Sequence, residues 1–364
     1  MPYKISGTLS DACKIIIIKE SDWSIESNTD ESVGSYEITN LDAGAKLVAA
    51  RKPDGEALVY GNVTPEEYSA GGDRGIFAGG REGVNRQNII EYVAISTLGD
   101  ATDFGDLAAI RDYLAATSNG SNDRGIFGGG NTGSNVIEYV TISTPGNALG
   151  FGDLTAARYG IAGCSNGTSD RGVFGGGNNP SGDDNIIDYV TISTTGNATN
   201  FGDFSAKKYY HGAASNGTND RGVFGGGYLS THNYIDYITI SSIGDASDFG
   251  DLTLARVQIT GTSNLTNDRA IFAGGNTGSG NDTIDYITIS SIGDATDFGN
   301  LAFGSYDKAA TSNGTNERGL IAGGYNGAVQ FKQIDYVDIS STGNAQDFGD
   351  LSANRNLLSA TSNA

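Results

Sequence analysis

From about residue 70 onward, short apolar runs alternate with polar, glycine-rich turns, and no stretch keeps helical periodicity over a useful length. Ile137-Glu-Tyr-Val-Thr-Ile-Ser-Thr144 and Ile187-Asp-Tyr-Val-Thr-Ile-Ser-Thr194 alternate branched or aromatic side chains with polar ones, as a strand does. The same order of elements recurs around each such run. In one copy it predicts strand A at 115–118, strand B at 125–128, strand C at 137–143 and strand D at 151–154.

The marker of the repeat is Asn122-Asp-Arg-Gly-Ile-Phe-Gly-Gly-Gly130, with variants such as Asp220-Arg-Gly-Val-Phe-Gly-Gly-Gly227. Its arginines are Arg74, Arg124, Arg171, Arg221, Arg269 and Arg318, in steps of 50, 47, 50, 48 and 49 residues. So regular a period implies stacked copies of one supersecondary unit. Four antiparallel strands at this period make one blade of a β-propeller. Strands B, C and D occur six times, but the first copy lacks strand A. The chain ends Asn356-Leu-Leu-Ser-Ala-Thr-Ser-Asn363, which matches Tyr113-Leu-Ala-Ala-Thr-Ser-Asn119. The expectation is an all-β fold, a six-bladed propeller over 67–364 whose C-terminal strand completes the first blade and leaves no unpaired inner edge. The glycines of the marker are expected to let strands crowd near the axis.

A Gly-Gly doublet closes strand B, Tyr recurs on strand C, and strand D carries Phe104, Phe151, Phe201, Phe249, Phe298 or Phe348. A basic residue follows strand D in five copies, with Ser305 in the sixth. This set resembles kelch repeats over roughly residues 70–364, with Phe wherever kelch units carry Trp. The wording Asp-Arg-Gly-Val-Phe-Gly-Gly-Gly with Ile-Asp-Tyr-Val-Thr-Ile-Ser also resembles repeat proteins encoded by bacteriophages of aquatic bacteria.

Residues 1–66 lack the repeat. Alternation and turn residues predict strands at 3–9, 12–19, 35–39, 46–50 and 57–60, and so a small β-sandwich. Ile15-Ile-Ile-Ile18 reads as a strand covered on both faces. Ile5-Ser-Gly-Thr-Leu9, Gly34-Ser-Tyr-Glu-Ile38 and Lys46-Leu-Val-Ala-Ala-Arg-Lys52 resemble carboxypeptidase-regulatory-like or transthyretin-like domains. That resemblance implies a stalk or attachment module.

Charge narrows the partners. A net charge of -21 argues against nucleic acid, which calls for a basic stripe. Cys13 and Cys164, the two cysteines, make neither a disulfide framework nor a zinc site. No apolar run is long enough to span a membrane, and no secretory h-region follows Met1.

In an up-and-down blade the A–B and C–D connections share one face, and the B–C and D–A connections share the other. The first pair repeats nearly verbatim, with Asn-Gly turns that tolerate positive φ. The second pair differs in every copy. Its B–C loops carry Arg81 and Arg86, then Tyr228 and His232, then Tyr325 and Phe331. Its D–A loops carry Arg111 and Tyr113, Arg158 and Tyr159, Tyr209, Tyr210 and His211, Arg256, and Tyr306 and Lys308. These sixteen form the candidate binding face, because Tyr and Arg suit protein or glycan contact. The six marker arginines are read as structural, each bonding a carbonyl or carboxylate of a neighbouring strand.

Candidate chemistry is thin. Asp100, Asp103 and Asp106, echoed at Asp245, Asp248 and Asp251, have the look of a calcium turn but read better as turn caps. The glycine triplets precede no Gly-Lys-Ser/Thr, and no catalytic, metal or cofactor residue is assigned. The expectation is a non-enzymatic virion structural protein. Residues 1–66 would attach to other virion proteins, and the propeller face would meet a host surface protein, a glycan or a further subunit. The alternatives are a bacterial interaction scaffold or surface adhesin, in the cytoplasm or on the cell surface, and a glycan hydrolase.

Overall fold

The computed structural model describes the strands of residues 3–59 by their backbone, and residues 73–364 except 120–122, 131–132, 166–169, 180–181, 216–219, 228–231, 264–267, 313–316 and 363–364. The chain forms two units, Met1–Ala70 and Gly71–Ala364.

In the first unit the strands are β1 (Tyr3–Leu9), β2 (Cys13–Lys19), β3 (Ile25–Glu31), β4 (Gly34–Leu41), β5 (Ala45–Arg51) and β6 (Ala57–Val59). β1 pairs with β4, and a second sheet has the order β3-β2-β5-β6. The strand β3 is not predicted from the sequence, since Ile25-Glu-Ser-Asn-Thr-Asp-Glu31 is polar after its first residue; it lies at a sheet edge, where polar sequences are tolerated. The apolar run of β2 sits in the interior of its sheet, between β3 and β5. The sandwich expectation concerns side chains that lie outside the described residues.

In the second unit, six four-stranded antiparallel sheets form the blades of a propeller. Blade two contains strand A (Ala115–Asn119), strand B (Arg124–Gly128), strand C (Val136–Thr141) and strand D (Leu149–Asp153). Neighbouring A strands touch in sequence around the axis. Ser359–Ser362 pairs with Arg74–Ala78, Ser359 opposite Ala78 and Ser362 opposite Gly75, so the last segment of the chain is the inner strand of blade one.

The core lies between blades. Strand B is buried at every position after its arginine, which is why it reads as a continuous apolar run. One cluster joins Ile76, Ile90, Phe104 and Leu107 of blade one to Leu114, Phe127, Val140 and Ile142 of blade two. Five further clusters repeat this arrangement around the ring.

The marker residues stitch the blades. Arg124 lies 4.7 Å above the ring of Tyr139 and donates to Ile192 O of the next blade at 2.9 Å. Tyr139 in turn meets Phe151 edge-on at 6.0 Å. Arg318 closes the circle by donating to Ile95 O at 3.0 Å. The preceding Asp123 accepts the N–H of Ser143 at 3.0 Å and so pins the end of strand C.

The doublet glycines do not crowd the axis. Gly129 and Gly130 have φ of +69° and +103°, and they pass beneath two D–A loops. A Cβ there would lie 2.7 Å from Arg158 O and 2.8 Å from Asp112 O. Crowding at the axis falls to strand A, where a Cβ on Gly261 would lie 2.8 Å from Ala213 O.

Candidate functional site

Each D–A loop crosses from the outer strand of one blade to the inner strand of the next, so its last residues arrive at the axis. It begins with the basic residue that follows strand D. Arg158 is fully buried; it pairs with Asp188 of strand C at 2.5 Å and donates to Gly176 O and Ile186 O, both at 2.7 Å. Arg256 repeats this on Asp285 at 2.7 Å, and Lys208 on Asp236 at 2.8 Å. Arg111 pairs with Glu138, and Arg355 with Glu91. Expected on the binding face, Arg111, Arg158 and Arg256 are instead buried ion pairs that hold one blade to the next. Their guanidinium groups answer carboxylates that would otherwise be stranded in the core.

Blade six departs from this. Ser305 leaves Asp335 without an arginine, and Lys308, three residues on, occupies the space instead. Its ammonium donates to Gly323 O at 2.7 Å, and its charge offsets part of the burial that pushes Asp335 up to about 6. Burial draws Lys308 itself down to about 8. Lys308 is therefore also an interior residue, not part of a contact face. His211 is a further such case. It is buried against Phe204 and Phe224, and among the described residues neither ring nitrogen has a hydrogen-bond partner.

Two residues after each basic position the loops meet. Tyr113, Gly160, Tyr210, Gln258, Asp307 and Leu357 all adopt left-handed backbone, with φ between +56° and +64°. Each donates its N–H to the carbonyl of the one before. The bonds run Gly160 to Tyr113 (2.9 Å), Tyr210 to Gly160 (2.8 Å), Gln258 to Tyr210 (2.7 Å), Asp307 to Gln258 (3.1 Å), Leu357 to Asp307 (2.9 Å) and Tyr113 to Leu357 (3.1 Å). The result is a closed ring of backbone hydrogen bonds around the axis. A cavity of about 140 Å³ is lined by this ring and by the A strands.

The ring has two chemical halves. On one side Tyr113, Tyr159, Tyr209 and Tyr210 pack together, with Tyr113 and Tyr210 at 5.1 Å and Tyr209 and Tyr210 at 4.6 Å. On the other, Asp307 accepts Gln258 Nε2 at 2.7 Å and Asn356 Nδ2 at 3.3 Å. Gln330 of the blade-six B–C loop donates to Asn356 Oδ1 at 2.7 Å, and Asn276 donates to Gln258 Oε1 at 3.2 Å. Asp307 keeps surface toward the cavity but is surrounded on every other side, and that burial pushes its carboxyl up to about 7 despite the two amides.

Arg81 and Arg86 both pair with Asp112, and Arg81 also lies 5.5 Å above the Tyr113 ring. Tyr306 and Tyr325 exchange backbone hydrogen bonds at 2.9 Å and meet edge-on, further from the axis. Phe331 stacks on Phe303 at 5.7 Å, and His232 leans on Tyr234. Tyr228 lies outside the described residues. B–C and D–A loops thus share one face, and they bridge directly at Arg81–Asn356, Tyr159–Asn178, Val257–Asn276 and Tyr306–Tyr325.

Asp112, Gln258, Asp307, Asn356 and Leu357 were missed. The signal was present: the ring position reads Tyr, Gly, Tyr, Gln, Asp and Leu, different in nearly every copy of an otherwise faithful repeat. On the opposite face, Asp100 Oδ1 accepts Asp350 N–H and Asp245 Oδ1 accepts Asp203 N–H, each at 3.0 Å. Those turns stitch neighbouring blades. Among the described residues no group of three His, Cys, Asp or Glu is placed to hold a metal ion. No protein-family profile matches the chain, and no curated protein matches it in sequence.

Proposed function

We propose that this protein is a non-enzymatic binding component of a virion, and that its propeller recognises a partner through the face bearing the D–A and B–C loops. One observation carries the recognition reading: the residues that differ between blades converge on one face, with Tyr113 and Tyr210 in the axial ring and Tyr159 and Tyr209 packed against them. Tyrosine supplies large contact area at low entropic cost, together with a polar tip, and so suits a recognition surface. On the opposite face the C–D turns repeat one solution blade after blade.

The virion setting rests on the likeness of the repeat wording to phage-encoded repeat proteins. In it the N-terminal unit is a β-sandwich attachment domain, and the propeller meets a host-surface protein or glycan. Mass spectrometry of purified phage particles tests the setting, and absence of the protein from them ends it. Replacing Tyr209 and Tyr210 together by Ala tests the face: partner binding is expected to fall at least tenfold, and unchanged binding removes these tyrosines from the account.

A further inference from the structure

We propose that the axial mouth within the ring is a site for a primary alkylammonium group, seated between the Asp307 carboxylate and the Tyr113–Tyr210 aromatic faces. This deepens the recognition reading of the same face by naming the ligand chemistry, and it rests on that reading only for its biological use.

The first argument is charge. The strand-C carboxylates Glu91, Glu138, Asp188, Asp236 and Asp285 each have an arginine or lysine, as burial demands. Asp307 is held by two amides, and among the described residues no cation forms an ion pair with it. Each carboxylate oxygen has accepted one of these bonds and retains capacity for another. Arg81, whose charge acts on it, is already committed to Asp112.

The second argument is conformational cost. Five of the six ring residues are not glycine, although left-handed backbone costs a non-glycine residue roughly 1 kcal/mol or more. Gly160 shows that glycine is accepted in the ring, and the chain uses glycine freely elsewhere, with 55 in all. The strain is retained where Tyr, Gln and Asp side chains are delivered to one cavity, and retained strain of this kind marks ligand sites. Aromatic faces beside a carboxylate suit an organic cation, and Tyr113 already accepts the Arg81 guanidinium on its ring. The net charge of -21 draws cations toward the mouth.

The groups facing Asp307 are Arg81, Asp112, Tyr113, Tyr210 and Tyr306 from the surrounding loops, with Gln258 and Asn356 hydrogen-bonded to it. Lys308 lines the same cavity and is drawn down to about 8 by burial. Asp307 itself titrates at about 7, so an ammonium ligand binds best once Asp307 is ionised.

The test is calorimetric titration of the full chain with n-butylammonium chloride, with 1-pentanol and methyl glucoside as neutral probes. One-site binding is expected, about tenfold tighter at pH 8 than at pH 6, as follows from a carboxyl titrating at about 7. Asp307→Asn, nearly isosteric and checked for an unchanged melting temperature at low pH, is expected to lose at least tenfold in affinity and all of the pH dependence. Gln258→Leu removes an amide that lowers the Asp307 carboxyl, and is expected to weaken binding and move its pH dependence to higher pH. Absence of saturable butylammonium binding, equal binding by Asp307→Asn, or tighter binding of a neutral probe would each overturn the proposal. None of these outcomes touches the recognition reading, which the Tyr209/Tyr210 variant tests separately.

Discussion

Tyr113 donates its backbone N–H to Leu357 O at 3.1 Å, and this one bond joins the first D–A loop to the last. It sits directly above the pairing of Ser359–Ser362 with Arg74–Ala78, so the ends of the propeller are tied twice at the same seam. A third tie spans the rim, where Gln330 accepts Gly83 N–H at 2.6 Å and donates to Gly83 O at 3.2 Å. Closure is therefore an assembly of inner strand, axial ring and rim latch.

Removing residues 356–364 takes away the first two ties together and exposes Phe77, which is fully buried. The melting temperature is expected to fall by about 10 °C or more, given roughly 2–4 °C per kcal/mol for a body of this size. Differential scanning calorimetry checks this, and an unchanged transition would contradict the closure.

Blade six invites repair. Ser305→Arg with Lys308→Ile restores the pairing seen at Arg158–Asp188 and Arg256–Asp285. Among the described residues Asp335 Oδ1 has no hydrogen-bond partner, and an arginine supplies one. The double variant is expected to gain about 1 kcal/mol in urea unfolding, whereas Arg158→Ser alone is expected to lose about 3–5 kcal/mol by stranding Asp188. A loss in the double variant would show that blade six has its own packing solution.

The blade architecture is legible in the sequence because each blade reuses the same residue types for its internal contacts: Arg over Tyr, Tyr against Phe, Asp on Ser. The axial site is less so. Arg111, Arg158 and Arg256 share the loops of Tyr113, Tyr159 and Gln258, and position in a loop does not reveal which way a side chain turns. Arginine faces inward because strand C offers Glu138, Asp188 and Asp285 there, a pairing visible only once the blades are set side by side. His211 and Lys308 were misplaced for a related reason. They occupy the position filled by Leu114, Ile161, Ile259 and Leu358 in other copies, and that apolar company was the cue to an interior place.

Gly160 gives a steric test of the tyrosine cluster. A Cβ there would lie 2.6 Å from Tyr210 Cδ1. Gly160→Ala is expected to cost about 1–3 kcal/mol by the clash, on top of roughly 1 kcal/mol for its left-handed backbone, and Tyr210→Ala in the same chain is expected to recover the clash alone. Additive losses in that double-mutant cycle would place Tyr210 elsewhere.

His211 predicts an acid response. Burial, Lys208 and Arg158 hold its folded-state pKa well below the ordinary 6.5. Folding therefore excludes a proton that the unfolded chain accepts. The stability so supported is complete above about pH 6.5 and is lost as pH falls below it. His211→Leu, matching Leu114 and Leu358, is expected to shrink the drop in melting temperature between pH 7.5 and pH 5, and an identical drop in the variant would refute the assignment.

The recognition face is the centre of the account, and one comparison tests it most directly. Fluorescently labelled full-length protein is incubated with a panel of intact bacteria and a glycan array, beside a Tyr209→Ala/Tyr210→Ala variant and a Leu98→Ser/Ile243→Ser variant of the opposite face. Leu98 and Ile243 are exposed there, 53% and 56%, and lie in the repeated C–D turns. The account predicts that the tyrosine variant loses binding while the opposite-face variant retains it. Loss in the Leu98/Ile243 variant with retention in the tyrosine variant would place recognition on the wrong side of the propeller.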